Sequence, residues 1–376
     1  MSRTCCRSMR WVFLLLVSVA VPLSAVAEGL SFEHAGEYGT AATFQVALGD
    51  LDGDGDLDAF FANMDWASEI WMNNGDGQFA RSRQLFGSGA HGIGIGDLDG
   101  DGDADLLIGR ADRGSASDVY FNNGQGGFLP ASWDLGDREI AANAVTLFDA
   151  EGDGDLDAGI YYASRFSVLY TNDGTGRFEP LGARISGMAF WGDLDGDGDV
   201  DVLTQLHSGG FEVLRNEGAN DLVSASHISA PVPFVPGSAA LADVDTDGDL
   251  DLIATGAGDF DAPLTVLRND GAGGFSYAAS TSFRAAYGRI SLGGVDGDGD
   301  PDVFTGNLGQ SVHMGLNDGS GEFVDAGLNF DLGDNAGISA LGDLDGDGDL
   351  DLFTARYGSG GPNGVWLNRS NGDSID

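Results

Sequence analysis

The chain has 376 residues, 42% of them hydrophobic, and 60 acidic against 17 basic residues give it a formal net charge of −43. So acidic a chain excludes nucleic acid as a partner, because the phosphates would be repelled. The abundance of Val, Leu, Ile and Phe excludes a disordered acidic segment. All the basic residues are arginine, and the only cysteines are Cys5 and Cys6.

The first predicted element is a leader. Arg3, Arg7 and Arg10 surround the start of an apolar run from Trp11 to Ala20, and Ala25-Val26-Ala27 supplies small residues for cleavage. This pattern predicts a secretory signal peptide over residues 1–27. The mature protein, residues 28–376, is then expected to be secreted, extracellular or periplasmic, monomeric and without a membrane span. Both cysteines lie within the leader, so no disulfide is expected and another staple is needed.

The segment GLSFEHAGEY (Gly29–Tyr38) reads as a lone strand. After it, one unit recurs seven times. Its marker is an acidic loop beginning at Asp50, Asp97, Asp149, Asp193, Asp243, Gly294 and Asp343, at intervals of 44 to 52 residues. A fixed period of this length indicates a repeat architecture. Each unit reads as four short strands. The first precedes the loop, as in VALGD (Val46–Asp50), and the second follows it, as in LDAFFAN (Leu57–Asn63) or LDLFTAR (Leu350–Arg356). The third ends in a turn signal, as in EIWMNNGDG (Glu69–Gly77), where Asn and Gly tolerate positive φ. The fourth starts at Phe79, Phe128, Phe178, Phe275 or Phe323. Four strands in roughly 50 residues match a propeller blade. The expected fold is therefore all-β, a seven-bladed propeller of four-stranded blades.

The ends of the chain sharpen this expectation. The last copy stops after its third strand, GVWLNRSNG (Gly364–Gly372). Phe32 lies 18 residues before Asp50, just as Phe79 lies 18 before Asp97. The N-terminal strand should complete the last blade and close the ring, pairing an edge that would otherwise invite aggregation.

The loops carry the candidate chemistry. In the first, Asp50, Asp52, Asp54 and Asp58 hold positions 1, 3, 5 and 9, Gly55 allows the turn, and Asp56 at position 7 can offer its carbonyl. The same pattern runs through Asp97, Asp99, Asp101, Asp103 and Asp105; through Asp193, Asp195, Asp197, Asp199 and Asp201; through Asp243, Asp245, Asp247, Asp249 and Asp251; and through Asp343, Asp345, Asp347, Asp349 and Asp351. The third copy is Asp149, Glu151, Asp153, Asp155 and Asp157, and the sixth keeps only Asp296, Asp298, Asp300 and Asp302. Hard oxygen ligands at this spacing suit Ca²⁺. Up to seven calcium sites are expected, with the one at 294–302 the weakest. An EF-hand would need Glu at position 12 and flanking helices, whereas position 12 here is Phe61 or Ile108, inside strands.

The units GDLDGDGDLD, LDAFFAN and IWMNNGDGQF together resemble the FG-GAP/VCBS-type repeat of integrin α-subunit propellers and many exported bacterial proteins. The Phe-Gly-Gly-Ala-Pro tag survives only as FGSGA (Phe86–Ala90). The resemblance implies a calcium-binding propeller serving adhesion or carbohydrate and protein binding, and in some cases forming part of an enzyme. The face opposite the acidic loops should carry Arg110, Arg113, Arg138, Arg165, Arg184, Arg284, Arg289 and Arg356, with Trp66, Trp133, Tyr287 and Tyr357. Guanidinium forks and aromatic rings there suit an anionic or carbohydrate ligand. The competing reading pairs those arginines with Asp112, Asp134 and Asp137. The five histidines share no spacing and no nucleophile elbow is present. No catalytic residue is assigned. A lyase or glycosidase built on the propeller stands as the alternative to a binding module with structural calcium.

Overall fold

A computed structural model describes residues 29–370 except 113, 137, 139, 164, 207–208, 219–220, 230–233, 257–263, 279–282, 284, 286–288, 307–311, 331–337 and 358–360. The leader therefore lies outside the described residues, as do Arg113, Asp137, Arg284 and Tyr287. The fold is all-β: seven sheets of four antiparallel strands. Blade 1 runs Thr43–Gly49, Asp58–Asn63, Ser68–Met72 and Ala80–Phe86. Blades 2 to 6 repeat that order through Phe330. Blade 7 is built from Ala340–Gly342, Asp351–Thr354 and Asn363–Asn368, and its outer strand is Phe32–Tyr38 from the N-terminus, as expected.

The hydrophobic core is divided among the seven blade interfaces rather than lying inside the blades. Between blades 7 and 1, for example, Phe353, Val365 and Leu367 meet Val46, Phe61 and Phe79. Both faces of each blade are thus covered. This explains why the second strands read as unbroken apolar runs instead of alternating: all six residues of Asp58–Asn63 and of Asp105–Arg110 are buried. The fourth strands lie at the rim and are exposed at most positions in blade 1. Each large side chain buried at an interface contributes about 1.5–3 kcal/mol.

The first strands stand closest to the axis and neighbour one another around it. Their last residue is repeatedly Gly for a steric reason. A Cβ on Gly342 would lie 2.6 Å from Leu57 of the next blade, and one on Gly96 would lie 2.5 Å from Leu156.

A buried polar link also joins the blades. The third strand ends in Asn172, Asn216 and Asn368 in blades 3, 4 and 7, and is followed directly by Asn73, Asn122, Asn269 and Asn317 in blades 1, 2, 5 and 6. Asn122 Nδ2 donates at 2.9 Å to the carbonyl of Leu51, the second residue of the preceding blade's loop. Asn73, Asn172, Asn269, Asn317 and Asn368 make the same bond, to Leu344, Leu98, Leu194, Val244 and Val295. Those second residues are themselves buried plugs in the interface with the next blade. Ring closure adds one more such contact, Asn363 Nδ2 to Thr43 Oγ1 at 3.0 Å.

Asn122 Nδ2 also donates to Ala104 O, so Asn122→Ala would strand two carbonyls away from water. We expect a loss of about 2–3 kcal/mol in chemical denaturation, against less than about 1 kcal/mol for Gln125→Ala in the exposed turn beside it.

Candidate functional site

The acidic loop is shaped by its own carboxylates. Asp50 Oδ1 accepts the Gly53 N–H at 2.8 Å and its Oδ2 accepts the Gly55 N–H at 3.1 Å. Gly53 and Gly55 have φ of 79° and 97°, a region where a Cβ is strained. Asp54 Oδ1 accepts the Asp56 N–H at 3.0 Å. The same bonds recur around Asp97, Asp193 and Asp343.

The ninth position is a buried clamp. Asp58 Oδ2 accepts the Leu51 N–H at 3.0 Å and Oδ1 accepts the Asn73 N–H at 2.7 Å. Asp105, Asp157, Asp201, Asp251, Asp302 and Asp351 make the same pair of bonds in their blades. One carboxylate thus ties the loop to the third strand. At the seventh position the Asp56, Asp103, Asp155, Asp249 and Asp300 carboxylates lie against the turn glycines Gly75, Gly124, Gly174, Gly271 and Gly319.

The third position differs from all of these. One carboxylate oxygen, Oδ1, of each of Asp52, Asp99, Asp195, Asp245 and Asp345 is buried and has no hydrogen-bond partner. A buried unsatisfied acceptor costs about 1–3 kcal/mol and calls for an explanation. In these same five loops three carboxylates bring oxygens within 4.8 Å of one another: Asp50, Asp52 and Asp58; Asp97, Asp99 and Asp101; Asp193, Asp195 and Asp197; Asp243, Asp245 and Asp251; Asp343, Asp345 and Asp347. Like charges converging on a stranded acceptor fit a hard divalent cation, which would satisfy the oxygen and cancel the repulsion. The copies containing Glu151 and Asp296 form no such group among the described residues. In the sixth loop, which begins with Gly294, Asp296 Oδ1 accepts the Asp298 N–H at 3.3 Å.

In three blades the other oxygen of the third-position carboxylate meets a guanidinium. Arg215 lies 3.3 Å from Asp195, Arg268 3.1 Å from Asp245 and Arg369 2.5 Å from Asp345. Arg215 and Arg268 also donate to the next blade's turn, at Ala272 O and Ser320 O. Blades 1 and 2 place Met72 and Phe121 against the following turn instead. Sequence reading missed these arginines and the seven asparagines. The signal was available, since each Asn follows the ninth-position Asp by 15 to 18 residues.

Burial dominates the electrostatics of the clamp. It raises Asp58, Asp302 and Asp351 to about 7 and Asp105 and Asp251 to about 6, despite two N–H donors on each. A carboxyl raised in the folded state lends stability below its ordinary value near 3.8, and that stability is lost as pH rises through 6 to 7. Cation-free protein should therefore melt at a higher temperature at pH 5 than at pH 8. With bound divalent cation the trend should reverse, because protons compete for the ligands. Calorimetry across that range, with and without chelator, reads the sign.

The fifth loop carries Thr246 at its fourth position, with φ of 57° where blades 1 and 2 have glycine. Left-handed backbone costs a residue with a Cβ about 1–2 kcal/mol. Thr246→Gly should raise stability by about 1 kcal/mol, measurable in denaturant melts.

On the opposite face most arginines are already engaged. Arg110 is buried, donating from Nε to Asp118 at 2.7 Å and from Nη1 to the Gly87 and Ser88 carbonyls. Arg138 pairs with Asp134. The Arg184 guanidinium lies over Phe166 at 4.2 Å, and that of Arg289 over Phe44 at 4.0 Å. Trp133 packs against the core beside Phe178, whereas Trp66 is 68% exposed. A polar cleft of about 380 Å³ opens on blade 2, lined by Ser88, Arg110, Asp112, Asp118, Asp134 and Arg138 among others. The competing reading pairs these arginines with Asp112, Asp134 and Asp137: Arg138 does pair with Asp134, whereas the carboxylate on Arg110 is Asp118.

Fold and loops together define a seven-bladed propeller with an acidic loop between the first two strands of each blade. The sequence matches the FG-GAP-like repeat over residues 50–108, 97–160, 193–254 and 294–354, and the chain belongs to that family. A comparison with curated proteins finds no match. Among solved structures, the chain is similar to an Agrocybe aegerita lectin that recognises non-reducing terminal N-acetylglucosamine, at 19% identity and a TM-score of 0.56, over 84% of this chain and 86% of that one. It is also similar to the BP39L lectin of Burkholderia pseudomallei, at 15% identity and a TM-score of 0.66, over 88% and 96%. The third is BBS1N, solved in complex with ARL6DN, at 14% identity and a TM-score of 0.61, over 89% and 96%. At these identities the likeness is one of fold.

Proposed function

We propose that this protein is an exported, calcium-stabilised propeller that works as a carbohydrate- or protein-binding module. The observation that carries the calcium assignment is the stranded third-position oxygen, repeated in five loops and surrounded each time by two further carboxylates. Asp50, Asp52 and Asp58 would hold the ion in blade 1, and the corresponding groups would do so in blades 2, 4, 5 and 7. The ion's part is structural: it neutralises the loop and locks the clamp that joins loop to third strand. A site with Kd of about 10⁻⁴–10⁻³ M contributes about 1 kcal/mol in millimolar calcium.

The binding role draws support from the lectins among the similar folds and from the face opposite the loops. That face offers the polar cleft of blade 2 and the exposed indole of Trp66. Carboxylates and guanidiniums in one cleft suit the alternating donors and acceptors of sugar hydroxyls, and an indole supplies a stacking surface.

Thermal melts and a glycan screen on the same preparation test the two halves. Millimolar calcium should raise the melting temperature by about 5–10 °C over chelated protein, from about five sites of about 1 kcal/mol each. The calcium-loaded protein should retain specific glycans without altering their mass. An unchanged melting temperature would refute the calcium role. Shortened or unsaturated sugar products would replace the module with an enzyme.

A further inference from the structure

Residues from four blades converge on the ring axis at the end of the first strands away from the acidic loops. Phe44 is the second residue of the first strand of blade 1, Thr43–Gly49. His91 stacks on its ring at 4.3 Å with an interplanar angle of 17°. The Arg289 guanidinium lies 4.0 Å from the centre of the same ring. Both partners lie over a face of one small ring, so they take opposite faces. Tyr357 meets it edge-on at 5.9 Å. Arg289 opens the first strand of blade 6, Arg289–Gly293. Blades 6 and 1 are separated by blade 7, so these two side chains touch only by reaching across the central channel.

Arg289 is half-buried as well. Arg81, Arg110, Arg138, Arg215, Arg268 and Arg369 each have a carboxylate partner. Among the described residues none pairs with Arg289. Burial pulls its guanidinium down to about 10, and among the described residues the charge interaction opposing that comes from Tyr357. Asp112 acts on His91 instead. A half-buried cation with no counter-charge among the described residues is costly, and the carboxylate of a ligand would supply one. The Phe44 ring occupies one side of the guanidinium, and no hydrogen bond from its N–H donors is made among the described residues, so the fork can receive a planar carboxylate through two parallel hydrogen bonds. The protein's overall negative field penalises a doubly charged phosphate or sulfate more than a singly charged carboxylate.

We propose that the axial mouth opposite the acidic loops is a carboxylate-binding site for the acidic sugar of a glycan, with Arg289 as the fork and Phe44, His91 and Tyr357 as its walls. That the carboxylate belongs to a sugar rests on the binding-module reading above.

The test is titration calorimetry of the full calcium-loaded chain with glucuronate, with glucose as the neutral match and inorganic sulfate as the generic anion. Glucuronate should bind, with glucose and sulfate at least 10-fold weaker. Arg289→Met, which keeps the apolar contact with Phe44, should lose glucuronate binding by 10-fold or more. Arg289→Lys, which keeps the charge and loses the fork, should lose several-fold and guards against a Met variant that does not fold. Unchanged affinity in both folded variants overturns the site, as does equal binding of sulfate. If glucuronate fails to bind while neutral glycans are still retained in the screen, the axial site is wrong and the module reading survives. If no sugar of either kind is retained, the module reading itself fails.

Discussion

The buried ninth-position carboxylate is the constraint on which the ring depends. Asp58 and its six counterparts each accept two backbone N–H groups, one from the plug residue of the acidic loop and one from the asparagine that ends or directly follows the third strand. The plug residue then offers its carbonyl to the asparagine of the following blade. Loop, strand and neighbouring blade are thus tied through one residue whose N–H, carbonyl and side chain are all engaged. Hydrophobic packing supplies most of the energy, but packing is not directional. The polar tie sets the register in which one blade leans on the next.

The same tie clarifies why the acidic loops are not interchangeable. The clamp is present in all seven blades, whereas the converging carboxylates and the stranded oxygen occur together in five. The first and fifth positions shape the turn and the ninth anchors it. In these five loops two of those carboxylates also converge on the third, whose buried oxygen has no partner among the described residues. In blades 4, 5 and 7 an arginine takes one oxygen of that third carboxylate, so part of the compensating charge is built into the chain. In blades 1 and 2 the apolar side chains of Met72 and Phe121 lie against the following turn instead, and among the described residues no such guanidinium meets the third carboxylate.

Much of this architecture was legible in the sequence, and the limit of legibility has a physical shape. The repeat, the four strands per unit, the acidic loops and closure of blade 7 by the N-terminal strand follow from local spacing, because turns and strand periodicity are written over a few residues. The role of Asn122 was read only as turn chemistry, since its second partner, Leu51, is 71 residues away. Arg110 looked like a ligand-binding guanidinium and proves to be an internal strut, which depends on the carbonyls of Gly87 and Ser88 in the preceding connection. The meeting of Arg289 with Phe44 is the extreme case, for nothing in either stretch announces the other. Lateral contacts across blades are where a one-dimensional reading gives out.

The outer strand of blade 7 comes from one end of the chain and its neighbour from the other, with Ser31 hydrogen-bonded to Ser370, 339 positions further along. A ribosome therefore delivers one strand of this four-stranded sheet long before the other three. Until synthesis ends, Phe32–Tyr38 has no native partner and the opposite flank of the nascent array has no cover. The last step of folding is a meeting of two distant segments, slow by the entropy of so large a loop. The stability of the whole ring therefore waits on this one pairing, whatever the state of the six sheets made from contiguous stretches of chain.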